Sequence, residues 1–211
     1  MTTGKGARLL TTVLGLAGAM LVAEPAMAHH LMGGRMPSSF GEGLLSGLGH
    51  PVIGLDHLAA VVAIGCLAAA HRAGAALAIG FVAAMMAGVA AHLGGATVPA
   101  AELLVALTVI GLGVATLRNP PLPVAAALAL FVAAGLVHGY ALGESIYGAE
   151  RSPLLAYLLG LAVIQSAIAL VAMTVTRLLT RRAESVAVRL VGAGIAGVGL
   201  TLLVQQIVPA A

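Results

Sequence analysis

Residues 154–176 read LLAYLLGLAVIQSAIALVAMTVT, a run without one charged side chain, bracketed by Arg151 and Arg177. Apolar residues follow one another continuously here, without the strict alternation of a half-buried or barrel strand. A run of this kind is as long as the ~20 helical residues that cross a bilayer. In lipid an α-helix satisfies its own backbone, which an isolated strand cannot. Five further stretches of the same character lie around it: Leu44–Ala70, Ala75–Leu93, Ala100–Leu117, Val124–Leu142 and Leu190–Val208. Each is ended by Gly, Pro, Arg or Asn. The chain has 211 residues, 61% hydrophobic and 8% charged, against about 25% charged in soluble domains. The expected fold is all-α, a polytopic membrane helix bundle with six transmembrane helices in one domain. The 28 glycines suit close helix contacts built on small residues, and the absence of Trp leaves a thin aromatic belt.

The N-terminus has a different grammar. Lys5 and Arg8 precede the apolar segment Leu9–Ala23, and Ala26-Met27-Ala28 supplies an A-x-A cleavage pattern. The apolar segment is shorter than a span, so residues 1–28 read as a cleavable secretory signal peptide. The mature chain, residues 29–211, then begins with His29 and His30 on the outer face. That orientation places Arg72, Arg118, Arg177, Arg181, Arg182 and Arg189 in cytoplasmic loops and leaves Arg35 and Arg151 outside. The bias obeys the positive-inside rule independently of the leader. Both mature termini are therefore expected on the outer, periplasmic side. The net charge of +3 reflects this topology. The basic residues are scattered, with no interleaved aromatics, which argues against a nucleic-acid partner. Cys66 is a lone cysteine, excluding an internal disulfide, and its apolar setting reads as packing.

Ionisable residues within the spans carry the functional reading, because each costs about 2.5–3.5 kcal/mol at mid-membrane on insertion scales. His50, Asp56 and His57 lie on the first span, His92 late on the second, Glu102 early on the third, and His138 late on the fourth with Glu144 just beyond. With an outer N-terminus all seven fall in the outer half of the membrane, a polar cluster opening outward. It consists only of imidazoles and carboxylates, with no Lys or Arg inside the spans. Its anions need protons or a cation, and imidazole with carboxylate is a ligand set for divalent nickel, cobalt or zinc. On a straight helix His50 and His57 stand roughly 10 Å apart along the axis, too far for one metal. A break at Pro51 or Gly54 would bring them together; otherwise they serve successive sites. The spacing leaves both open. Gln165 and Ser166, mid-membrane on the fifth span, either bond across helices or line the path.

The motifs HPVIGLDH (50–57) and HGYALGE (138–144) resemble those of the HupE/UreJ family of nickel and cobalt permeases. His50, Asp56 and His57 match that family's His-x5-Asp-His motif. His138, Gly139, Ala141, Gly143 and Glu144 match its His-Gly-x-Ala-His-Gly-x-Glu motif, with Leu142 where the family has a second histidine. Glu102 answers to the acidic residue of the family's third span. The resemblance covers the whole chain. It implies a secondary permease, not an enzyme, that takes up Ni²⁺ or Co²⁺ across the bacterial inner membrane in support of hydrogenase or urease. The metal would be transported substrate, with no tightly bound cofactor. It also implies metal contacts at His50, Asp56, His57, Glu102, His138 and Glu144. His92, His29 and His30 are secondary candidates, His92 as a replacement for the missing histidine.

Other classes fit less well. Two histidines on different helices, His92 and His138, suit bis-imidazole haem ligation in an electron-transfer protein, but haem has no need of Asp56 or Glu102. A hydrolase lacks its motifs: there is no His-Glu-x-x-His, and Ser46 is not in a Gly-x-Ser-Gly context. No phosphate-binding Gly-x4-Gly-Lys-Ser/Thr loop is present. Uptake would draw on the ion gradient, the membrane potential or a partner, and the potential alone is worth about 4.6 kcal/mol per divalent ion at 100 mV.

Overall fold

The computed structural model describes residues 35–118, 121–181 and 185–208. The expected signal peptide, residues 1–28, and His29 and His30 lie outside the described residues. The described chain is entirely helical between short connections. The helices are α1 (Phe40–Ile53), α2 (Leu55–Ala68), α3 (Gly74–Leu93), α4 (Ala101–Thr116), α5 (Val124–Glu144), α6 (Arg151–Arg181) and α7 (Ser185–Ile207). Four of them, α3, α5, α6 and α7, are long and apolar enough to cross a membrane. The first expected span is broken: α1 and α2 meet at an angle of 76° and together make a fifth candidate. Helix α4 has 16 residues, about 24 Å at ~1.5 Å per residue, short of the roughly 30 Å hydrocarbon core.

Local chemistry accounts for the ends. Ser39 caps α1 by accepting from the Glu42 N–H at 3.2 Å, while the Glu42 carboxylate accepts from the Ser38 N–H and hydroxyl at 2.8 and 2.9 Å. This is a capping box reaching one residue further back than usual. At the other end of the bundle Arg177 of α6 donates to the carbonyls of Ala69 (3.3 Å) and His71 (2.8 Å), fastening the α2–α3 connection.

Helix pairing does not follow chain order. The most extensive contacts join α3 to α5, α1 to α6 and α4 to α7, with α2 threaded between α6, α4 and α7. Glycine lets the backbones meet. Gly43 and Gly47 of α1 press on Pro153 and Tyr157 of α6, Gly88 of α3 on Leu136 and Tyr140 of α5, and Gly113 of α4 on Ala196 of α7. Without a hydrophobic difference between side chain and lipid tail, this close packing is what holds membrane helices together. The outer surface is correspondingly apolar: Leu155, Val171, Val186 and Ile207 are all more than 60% exposed. Such a surface suits lipid contact and makes the chain a multi-pass membrane protein.

Candidate functional site

The break between α1 and α2 builds the site. Pro51 occupies the last turn of α1, and Gly54 leaves the helical conformation with φ −73° and ψ 102°. The chain restarts at Leu55, which puts Asp56 and His57 in the first turn of α2. With the helix bent, the rings of His50 and His57 stand 5.7 Å apart between centroids. The break left open by the sequence is therefore the arrangement found. Gly54 is buried, and a side chain there would stand 3.0 Å from Asp56 Oδ1 and 3.1 Å from His57 Cδ2. Its missing Cβ lets both side chains fold back over the break.

On α5 a glycine face fixes the opposite wall. Gly135 and Gly139 lie directly on the backbone of α3 at Phe81 and Met85, and Gly143 packs on His92. His138 stands about 100° round the helix from Gly139, where it meets α2 and α4. Its Nδ1 lies 3.0 Å from His57 Nδ1, and its Nε2 lies 3.0 Å from Thr108 Oγ1. The Thr108 hydroxyl donates to the Val105 carbonyl at 2.7 Å. With its proton so used, Thr108 accepts from His138 Nε2–H, which leaves His138 Nδ1 as a lone pair facing His57. On the other ring, His57 Nε2 lies 3.5 Å from Asp56 Oδ2. Each imidazole thus has an oxygen behind its Nε2, from Asp56 or Thr108, and the two Nδ1 atoms face one another in a buried setting. His50, also buried, sits edge-on to Tyr157 with centroids 6.2 Å apart.

The remaining expected residues lie elsewhere. Glu102 is exposed on α4 and accepts from Gln206 Nε2 of α7 at 2.6 Å. Glu144 is exposed at the end of α5. His92 packs against Tyr140 and Tyr147, with ring centroids 4.6 and 5.6 Å away, on the glycine face of α5. Its Nδ1 has no hydrogen-bond partner among the described residues. Leu142 is fully buried one turn beyond His138, and its carbonyl accepts from Ser145 (2.9 Å) and Tyr157 (3.3 Å). Cys66 is buried and accepts from Thr176 Oγ1 at 3.3 Å. Among the described residues no group of three or more His, Cys, Asp and Glu side chains is poised to hold a metal ion. The structure thus brings four expected residues together, His50, Asp56, His57 and His138. It adds Thr108, which an apolar run hides: a hydroxyl that bonds its own helix is ordinary in membrane spans, and only the neighbouring imidazole marks this one.

The family model described as "HupE / UreJ protein" matches residues 16–202. The chain is 28% identical over 202 residues to the protein described as "Protein HupE" from Rhizobium leguminosarum bv. viciae, covering 95% of this chain and 99% of that one. No solved structure matches it.

Proposed function

As a member of the HupE/UreJ family, the chain is one for which we propose secondary uptake of Ni²⁺ or Co²⁺ across the bacterial inner membrane, through a site between α2 and α5. The observation that carries this reading is the 3.0 Å approach of His57 Nδ1 to His138 Nδ1 with Asp56 and Thr108 behind the two rings. Two nitrogens each about 2.0–2.1 Å from one metal, at a right angle, stand about 2.9 Å apart. The pair already has the spacing of neighbouring ligands. Outer partners of the Asp56 and Thr108 kind fix ring orientation and make the facing nitrogen a better donor.

The ion replaces the proton shared between the rings. That proton passes to His57 Nε2, where Asp56 accepts the new N–H in a hydrogen bond, and the carboxylate balances part of the incoming charge. Two imidazoles with one nearby carboxylate hold a divalent ion loosely enough to release it, as transport demands. His50, on the far side of the break, hands the ion to the pair. Glu102 and Glu144, exposed near helix ends, attract cations toward the entrance. Residues 1–28 serve as the export leader, α4 completes six spans with its flanking residues, and both mature termini face the periplasm. The metal is cargo, delivered toward nickel enzymes such as hydrogenase or urease, and the chain carries out no chemical conversion.

The test is radiolabelled nickel and cobalt uptake in cells expressing the wild type beside Asp56→Asn, His57→Ala and His138→Ala at matched membrane levels. Uptake should fall at least tenfold in each variant. Equal uptake in all four proteins would remove the proposal.

A further inference from the structure

Four polar side chains of the interior are increasingly enclosed: His50 is 8% exposed, His57 5%, His138 1%, and Gln165 of α6 0%. The last of these is an anomaly. Gln165 Nε2 has one neighbour, Met85 Sδ at 3.0 Å, and Oε1 has no hydrogen-bond partner among the described residues. A thioether is only a weak acceptor, and an unsatisfied amide atom costs about 1–3 kcal/mol when buried. The two ends of an amide are distinguished only by their bonds. Either orientation leaves one end of this amide unsatisfied, and a half-turn brings Oε1 to the position 3.0 Å from the sulfur.

That spacing suits a shared cation. A carboxylate oxygen about 2.1 Å and a thiolate sulfur about 2.3 Å from one metal, at a right angle, are about 3.1 Å apart, and a neutral thioether stands somewhat farther out. The location suits it as well. The backbone of Met85 on α3 lies against Gly139 of α5, the residue following His138, so Met85 is packed on the turn of α5 that carries that imidazole. Tyr157, which stands by His50, precedes Gln165 by eight residues on α6, about 12 Å of helix. The amide therefore lies deeper than the entrance.

We propose that Met85 Sδ and Gln165 Oε1 form a second ion-binding position, a neutral thioether–amide pair that accepts a partly dehydrated divalent transition-metal ion as it leaves the imidazoles. This rests on the permease reading and extends it inward. A neutral oxygen–sulfur pair binds more weakly than two imidazoles, and the sulfur disfavours hard ions such as Mg²⁺ and Ca²⁺. The ion steps from a tighter position to a looser one, and the position filters it on the way.

The test is nickel X-ray absorption on the purified full chain loaded with excess Ni²⁺, in wild type, Met85→Leu and Gln165→Leu, with nickel uptake by the same variants in vesicles. Met→Leu keeps the volume of the core, and Gln165→Leu removes the unsatisfied amide. The wild type should show nitrogen neighbours and a sulfur neighbour, and Met85→Leu the nitrogens alone. Both variants should transport at least tenfold more slowly while retaining nickel at the imidazoles. Selenomethionine labelling, which needs no substitution, should replace the sulfur neighbour with selenium. Nitrogen neighbours without sulfur in the wild type, or wild-type transport by Gln165→Leu, would overturn the second position and leave the imidazole site standing. A spectrum without imidazole nitrogen would overturn the permease reading itself.

Discussion

His57 and His138, eighty-one positions apart in the chain, meet nitrogen to nitrogen at 3.0 Å in the interior of the bundle. Nothing local obliges this. α2 must restart at Leu55 to aim one ring, and α5 must lie on α3 through its glycines to aim the other.

Thr108 should act through His138 without touching the ion. Thr108→Val keeps the shape and removes the acceptor that holds His138 Nε2–H. Changes of this outer kind weaken metal affinity by about 10–100-fold. The expected result is a raised half-saturation concentration for nickel uptake, with Thr108→Ser near wild type. Equal half-saturation for all three proteins would assign Thr108 a packing role only.

Gly54 should be intolerant of side chains for a reason specific to the site. Gly54→Val places carbon atoms against Asp56 and His57 and must displace both. Uptake should fall by more than tenfold while circular dichroism shows the helical content preserved. Loss of helix together with uptake would instead point to a folding defect.

Acidification should weaken uptake. A protonated imidazole cannot bind metal. Uptake is therefore greatest at neutral pH and declines as protons compete with the metal for the paired rings, at a fixed metal concentration. The measurement is initial rate against nickel concentration and external pH at a clamped membrane potential. A half-saturation concentration for nickel that does not rise on acidification would rule out histidine ligation.

The α3–α5 contact should set stability. Gly139→Leu drives a side chain into the Met85 backbone and should lower the thermal midpoint of the detergent-solubilised protein by several degrees. Gly111, with open space where its Cβ would lie, is the control: Gly111→Ala should be neutral or stabilising by roughly 0.5–1 kcal/mol. Similar losses in both variants would mean that glycine content in general, and not this contact, is limiting.

Much of this was legible in the amino-acid order. Continuous apolar runs announce helices wherever they are long enough, and Pro51 with Gly54 offered the break that the structure shows. His50, Asp56, His57 and His138 were identifiable because ionisable groups in apolar spans stand out. What hydropathy lacks is the direction in which each group faces and the partner it meets. Glu102 reads as a lone anion until α7 folds back and brings Gln206 to it, since a neutral amide leaves no mark in a charge pattern. His92 shares its predicted depth with His138, yet lies on the glycine face of α5 among tyrosines. Depth comes from counting residues along a helix, while orientation comes from which face packs, and that depended on glycine contacts between helices distant in sequence.

The non-sequential pairing of helices bears on biosynthesis. α1 finds its main neighbour only when α6 has been made, and α4 only when α7 has. The segments that emerge first from the ribosome must wait in the bilayer without their eventual companions. A half-finished chain therefore carries its histidines in the membrane before α6 and α7 have closed around α2.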